Sequence, residues 1–370
     1  MTRAVAAALL TGALTVSGCA PAHAEPPDLR YLGQRQVPRA ATFEGTVVGG
    51  LSGISYDPGR DLYYIVSDDR SAKSPARFYT ARIATSGNGV DAVQLLSTRP
   101  WLDASGAAFR PLDADSDPPV VPPDAEGIAF DAGRQRLYWS SEGERRTDDP
   151  AAPLLLDPWV RIADLDGRYL GEFTLPDGLR MSADERGPRQ NSALEGLTLT
   201  PSGRWLWAAM EGPRYEDGPP PAEGGGALTR VTRLDPETRS AAAQYLYPLD
   251  PVTAGPGGDN GLSDLVALDD SSFLVVERGY GTHVTVRIYR ADIAGADDVL
   301  ARPAVAGQSA RAMSKTLLAD LTTTPGLTPL DNVEGITLGP TLPDGRRTVV
   351  MVSDDNFSAT QITQVLAFAL

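Results

Sequence analysis

One short plan recurs five times along this chain, roughly every seventy residues, and such a repeat leaves few folds open. Each copy begins with a small or acidic residue, usually followed by Gly and an aliphatic residue. An apolar strand, a polar turn and a second apolar strand follow, ending in an acidic residue. The copies run from Leu51-Ser52-Gly53-Ile54 to Ser67-Asp68-Asp69, from Glu126-Gly127-Ile128 to Ser140-Ser141-Glu142, and from Glu195-Gly196-Leu197 to Ala209-Met210-Glu211. The fourth runs from Ser263-Asp264-Leu265 to Val275-Val276-Glu277, and the fifth from Glu334-Gly335-Ile336 to Val352-Ser353-Asp354. Their starts at positions 52, 126, 195, 263 and 334 lie 74, 69, 68 and 71 residues apart.

The turns between the paired strands, such as Asp57-Pro58-Gly59, Asp131-Ala132-Gly133 and Pro343-Asp344-Gly345, are hairpin connections. Further strand-like runs follow each pair, for example Trp159–Ala163 with Tyr169–Phe173. Four strands per repeat, arranged radially, define an all-β single β-propeller of about five four-stranded blades. Repeats of this length leave room for a sixth, irregular blade. The chain ends on Val365–Leu370, which reads as a third strand, and Leu29–Gln34 reads as a fourth. The N-terminal strand is therefore expected to close the ring, which removes exposed sheet edges.

Composition agrees with one folded, exported domain. The 370 residues are 42% hydrophobic, too apolar for disorder, and 37 Gly with 31 Pro suggest many turns. A formal charge of −15 argues against nucleic acid as a partner. Arg3 precedes a short apolar run, Ala4–Leu14, and then Val16-Ser17-Gly18-Cys19. This pattern reads as a lipoprotein signal peptide over residues 1–18, with Cys19 as the lipidated first mature residue. Residues 19–28 form a tether and 29–370 the propeller. Ala22-His23-Ala24 offers a rival cleavage site. The expected location is thus the cell surface or periplasm through a lipid anchor, or alternatively free secretion. A monomer is expected.

In an antiparallel hairpin the start of one strand lies beside the end of the next. This places Ser52 near Asp68, Glu126 near Glu142, Glu195 near Glu211, Ser263 near Glu277 and Glu334 near Asp354. First strands line a propeller's channel, so these ends should converge on one mouth. Asp69, Asp124, Asp259, Asp331 and Asp355 add to the set. Two carboxylates 4 Å apart repel by about 4 kcal/mol at an effective dielectric near 20. Such a ring must protonate, spread into water or bind cations. Oxygen donors without Cys or His suit Ca²⁺ or Mg²⁺, and mixed carboxylate and amide sets suit calcium. Cys19 is the only cysteine, and His283 is the only histidine beyond the leader region. There is no G-x-S-x-G elbow and no H-E-x-x-H motif. A Ser-His-Asp site would need His283 with Ser263 or Ser52.

With Gly49-Gly50-Leu51-Ser52-Gly53-Ile54, Ser67-Asp68-Asp69 and Asp124-Ala125-Glu126-Gly127-Ile128, the chain resembles the bacterial phytase-like family, labelled esterase-like activity of phytase. Asn191-Ser192-Ala193-Leu194-Glu195-Gly196-Leu197, Asp331-Asn332-Val333-Glu334-Gly335-Ile336 and Ser353-Asp354-Asp355-Asn356 extend the resemblance over residues 30 to 370. It implies a propeller that uses calcium to bind phosphate and activate water. The lysine-rich phosphate pocket it also implies has no counterpart, since Lys occurs only at Lys73 and Lys315.

The expected function is calcium-dependent hydrolysis of phosphate or other esters of a small molecule. Asp68, Glu126, Glu195, Glu211, Glu334 and Asp354 are the expected metal ligands. Glu142 or Glu277 is the expected general base, and Arg278 a clamp for an anionic oxygen. Two rivals share the fold: a non-catalytic, surface-anchored propeller that binds a ligand or protein, and a lactonase-type carboxylester hydrolase.

Overall fold

The computed structural model describes residues 1–2 and 29–370. The expected tether and lipidated Cys19, and all but the first two residues of the leader, lie outside the described residues. No helix among the described residues is long and apolar enough to cross a membrane.

Five four-stranded antiparallel sheets form the blades. Their innermost strands are Leu51–Asp57, Ala125–Asp131, Leu194–Leu199, Gly261–Ala267 and Val333–Thr341. The second strands are Leu62–Ser67, Arg136–Ser141, Leu206–Met210, Ser272–Gly279 and Arg347–Ser353. Each inner strand touches the inner strands of its two neighbours, including the last against the first, so the ring is closed. Closure follows the expected route: Arg30–Val37 pairs antiparallel with Thr363–Ala369 as the outer strand of blade five. Two short two-stranded ribbons, Thr42–Phe43 with Thr46–Val47 and Glu144–Arg146 with Leu154–Leu156, are the only further sheets among the described residues. No sixth blade forms there.

A blade in a propeller is buried on both faces, so its middle strands should be apolar at every position rather than at alternate ones. Val349-Val350-Met351-Val352 illustrates this. Val349 and Met351 join a core cluster with Leu274, Val276 and Ile288 of blade four. Val350 and Val352 face the other way, onto Leu51, Ile54 and Ile65 of blade one. Five such clusters fill the five interfaces between blades. In the seam between blades one and two, Trp101 and Trp139 stack at 4.3 Å.

Two details of the inner strands position the mouth. Every inner strand carries a register shift against its partner at the same place, between Leu51/Ile54, Ala125/Ile128, Leu194/Leu197, Leu262/Asp264 and Val333/Gly335. These bulges fall on Ser52, Glu126, Glu195, Ser263 and Glu334, and a bulge re-aims the side chain it carries. The glycine that follows in four blades marks where adjacent inner strands meet. A Cβ on Gly127 would sit 2.8 Å from the Glu195 carbonyl oxygen, and one on Gly335 would sit 2.8 Å from that of Ser52.

Candidate metal centre

The bulges and strand ends bring most of the expected acids together. The oxygens of Glu142, Glu195 and Glu211 lie within 4.8 Å of one another, and all three residues are buried. Glu126, Glu334 and Asp354 are also buried, and Asp68 is partly so. Burial pushes the carboxyls of Glu126, Glu142, Glu195, Asp68 and Asp354 well above the usual carboxylate range. Neighbouring acids push in the same direction: Glu126, Glu142 and Glu211 act on Glu195, and Asp124 with Glu334 on Asp68. Burial likewise raises Glu211 to about 7, against the pull of Arg278, and Asp124 to about 6.

Few donors answer these acceptors. Ser52 Oγ donates to Glu126 Oε2 at 2.6 Å, and the Ala193 amide donates to Glu142 Oε1 at 2.8 Å. Asn332 Nδ2 donates to Glu334 Oε1 at 2.9 Å, and the Asn356 amide to Asp354 at 2.7 Å. Asp68 Oδ1 and Asn332 Oδ1 are buried acceptors with no donor among the described residues. A buried acceptor without a donor is costly unless a cation supplies the missing charge. Calcium takes oxygen ligands at 2.3–2.6 Å, so two ligand oxygens around it are at most about 5 Å apart. The glutamate triad, the orphaned amide oxygen and the absence of sulfur or imidazole at the mouth all fit such an ion.

Blade four departs from the others, and the structure corrects the register expected there. Leu51, Ala125, Leu194 and Val333 pair with Ser67, Ser141, Met210 and Ser353, one residue before each terminal acid. In blade four the matching residue, Leu262, pairs with Glu277. The residue equivalent to Asp68, Glu142, Glu211 and Asp354 is therefore Arg278. A one-residue difference sends a strand side chain to the opposite face. Glu277 accordingly faces away from the acids. It accepts from Tyr247 Oη at 2.8 Å, the Asp250 amide at 2.9 Å, Asn260 Nδ2 at 2.9 Å and Lys315 Nζ. With both oxygens engaged, it has no free lone pair directed at the mouth and is not a base there. Arg278 does reach the mouth, where Nη2 lies 3.2 Å from both Glu211 Oε1 and Glu334 Oε1.

The flanking aspartates divide. Asp124 borders the cluster and pairs with Arg70 at 3.4 Å. Asp69 is spent on Arg77 at 2.7 Å and on three loop amides. Asp331 and Asp355 accept backbone amides, and Asp259 is largely exposed beside Arg278. His283 is exposed and its ring meets only the Thr282 hydroxyl, while Ser263 donates to the Val333 carbonyl, so no Ser-His pair forms.

Sequence reasoning missed Asp264. It stands where the other blades have the inner-strand glycine. Its carboxylate accepts from the Ile336 amide at 2.8 Å and the Leu197 amide at 3.3 Å, stitching blades three and five across the channel below the acids. The alignment of Asp264 with Gly53, Gly127, Gly196 and Gly335 was the available signal. Two cavities open beside the acids. One of about 200 Å³ is lined by Asn191, Ser192, Glu211, Asn260 and Arg278; one of about 70 Å³ by Arg70, Asp124, Glu142, Arg146 and Asn191.

A closed propeller with an acidic mouth defines a class, and comparison with known families narrows it. Residues 46–357 match the phytase-like family described as "Esterase-like activity of phytase", and the chain belongs to that family. A comparison with curated proteins finds none that matches. Similar solved structures include a hypothetical protein from Leishmania major, 12% identical, covering 91% of each chain at a TM-score of 0.43. A mannose phosphorylase from Leishmania mexicana, in complex with phosphate ion, is 12% identical over 90% of this chain and 88% of its own, with a TM-score of 0.43. An exo-β-1,3-galactanase from Phanerochaete chrysosporium is 11% identical over 91% and 64%, with a TM-score of 0.48. At these levels of similarity none of the three bears on the site.

Proposed function

We propose that the chain is a calcium-dependent hydrolase of phosphate or other esters, working at the acidic mouth. The observation that carries this reading is the buried Glu142–Glu195–Glu211 triad, which has far fewer hydrogen-bond donors than acceptor oxygens. Glu195 and Glu211 would hold the ion together with Glu142, and Glu126, Asp68, Glu334 and Asp354 complete the negative wall around it. When bound, calcium would polarise the ester oxygen and acidify a water. Glu142 has Oε1 fixed by the Ala193 amide. Its other oxygen would then be left to accept the proton of the attacking water. Water adds to phosphorus or carbonyl carbon, the ester bond to the alcohol oxygen breaks, and the alcohol leaves with the proton that Glu142 took from the water. The 200 Å³ cavity beside Glu211, with its amides and hydroxyl, is sized for a small substrate group.

Export belongs to the same reading. Lipid at Cys19, or cleavage after Ala24, would place the propeller outside the cytoplasm as a monomer. Labelled fatty acid taken up by the wild-type chain and lost in Cys19→Ala is expected on the lipid route; no uptake by either chain points to cleavage after Ala24.

A hydrolysis screen tests the enzymatic reading. Phosphomonoester, phosphodiester, lactone and acyl ester substrates are offered with calcium, with chelator, and to Glu195→Gln. The expected result is turnover of at least one class that chelator and Glu195→Gln both remove. Turnover indifferent to both would overturn the metal mechanism, and no turnover of any class would overturn the enzyme.

A further inference from the structure

Seven acids and one guanidinium share the mouth, and they are unevenly placed. Blade two supplies Glu126 and Glu142, blade three Glu195 and Glu211, blade five Glu334 and Asp354, and blade one Asp68. Blade four supplies no acid to either position, only Ser263 and Arg278. Ser263 turns its hydroxyl onto the Val333 carbonyl and offers the mouth nothing.

Arg278 fills the gap. Nη2 reaches across its own blade to touch carboxylates of the blades on either side, at 3.2 Å to Glu211 and 3.2 Å to Glu334. Nη1 lies 3.7 Å from Asp259. A guanidinium stays charged at any working pH. It therefore offsets one unit of this negative charge permanently, as a mobile ion would do only when bound. A second feature sits at the same spot. Asn332 is 4% exposed, and its Nδ2 donates to the Glu334 oxygen that Arg278 also touches. Its Oδ1 has no donor among the described residues. Two carboxylates thus touch the arginine head, and Asn332, with its orphaned amide oxygen, is held on one of them, a set of oxygens suited to a hard cation.

We propose that Arg278 is a tethered cation occupying the blade-four quarter of the mouth in place of a divalent ion, and so limits how many calcium ions the mouth accepts. This rests on the calcium reading of the same mouth. Arg278 then acts as a built-in counter-charge rather than as a substrate clamp, and Glu211 is shared between it and the Glu142–Glu195 side.

Counting bound calcium tests the idea. Wild type, Arg278→Lys, Arg278→Gln and Arg278→Glu are equilibrated with calcium, desalted and analysed for metal per chain by mass spectrometry, with circular dichroism confirming the fold. Arg278→Glu and Arg278→Gln are expected to carry one more ion per chain than wild type, and Arg278→Lys the same number. If Arg278→Glu does not fold, the Arg278→Gln count decides. An unchanged or lower count in the folded neutral or acidic variants overturns the inference while leaving the calcium hydrolase intact. Ions in those variants but none in wild type would uphold the inference and overturn the hydrolase reading. No ion in any chain overturns both.

Discussion

The two ends of the central channel carry acids on the same strand pairs, yet only one end has the character of a site. At the far end the hairpin turns hold Asp57, Asp131, Asp269 and Asp344. There Asp131 accepts from the Arg134 amide and guanidinium and from Tyr138 Oη. Burial would raise it, but Tyr138 and Arg134 hold it below the usual carboxylate range. Asp269 is drawn down to about 2 because Ser271 and Ser272 outweigh the effect of burial. Arg346 lowers Asp344 in the same way. At the mouth, burial and neighbouring acids raise every member of the cluster whose carboxyl is shifted. Acid content therefore does not mark a site. A shortage of donors does, because it leaves acceptor capacity for a cation. The far end also has the larger opening, about 710 Å³ and lined by Ile54, Phe130, Leu199 and Leu338 among others, without any cluster of unpaired carboxylates.

The contrast is most exposed to failure in paired substitutions. Glu195→Gln is expected to lower kcat/KM for the hydrolysed ester by roughly 10²–10⁴-fold, because weakening the ion's hold removes the activated water on which the Glu142 base acts. Asp131→Asn should leave kcat/KM within about twofold and cost about 1–3 kcal/mol of stability in urea unfolding. Equal losses from the two would erase the distinction between the ends.

The next largest effect is on pH dependence. Without metal, Glu211 titrates near 7, so the folded chain keeps protons that the unfolded chain releases near pH 4. Its contribution is complete below the unfolded value and is lost as pH rises through 7, on the order of 3 kcal/mol. Asp269 has the opposite sign: its contribution is present above pH 4 and is lost as pH falls through 2. Thermal unfolding in chelator should show stability falling from pH 5 to 7.5, and saturating calcium should abolish that fall.

A smaller effect separates two glycines of blade two. A Cβ on Gly127 would press on Ser140 Oγ at 2.7 Å and on the Glu195 carbonyl. Gly127→Ala should cost about 1–3 kcal/mol through overpacking. Gly133 lies in the far turn, where a Cβ would meet only Asp131 Oδ1 at 3.4 Å. Gly133→Ala should stay within about 0.5 kcal/mol of wild type.

The blades were legible in the sequence because burial on both faces writes continuous apolar runs such as Val349–Val352, bounded by turn residues. Ring closure was legible because Tyr31-Leu32-Gly33 repeats the pattern of Tyr169-Leu170-Gly171. The mouth was legible as a set of equivalent hairpin ends, including Glu126, Glu142, Glu195, Glu211 and Glu334. Blade four was not, because its hairpin is shorter and strand alternation turns a one-residue error into the wrong face. Glu277 and Arg278 are adjacent in sequence, yet one is tied to Lys315 behind the sheet and the other reaches the acids. Partners supplied by other segments, such as Arg70 for Asp124 and Arg77 for Asp69, follow from loop geometry that no spacing rule encodes.

Calorimetric titration of calcium at pH 7.5 into chelator-treated wild type, Glu195→Gln and Asp131→Asn tests the central claim most directly. The account predicts saturable binding with the same Kd in wild type and Asp131→Asn, and a Kd at least about tenfold weaker in Glu195→Gln. Binding of equal strength in all three, or heat of binding in none, would contradict it.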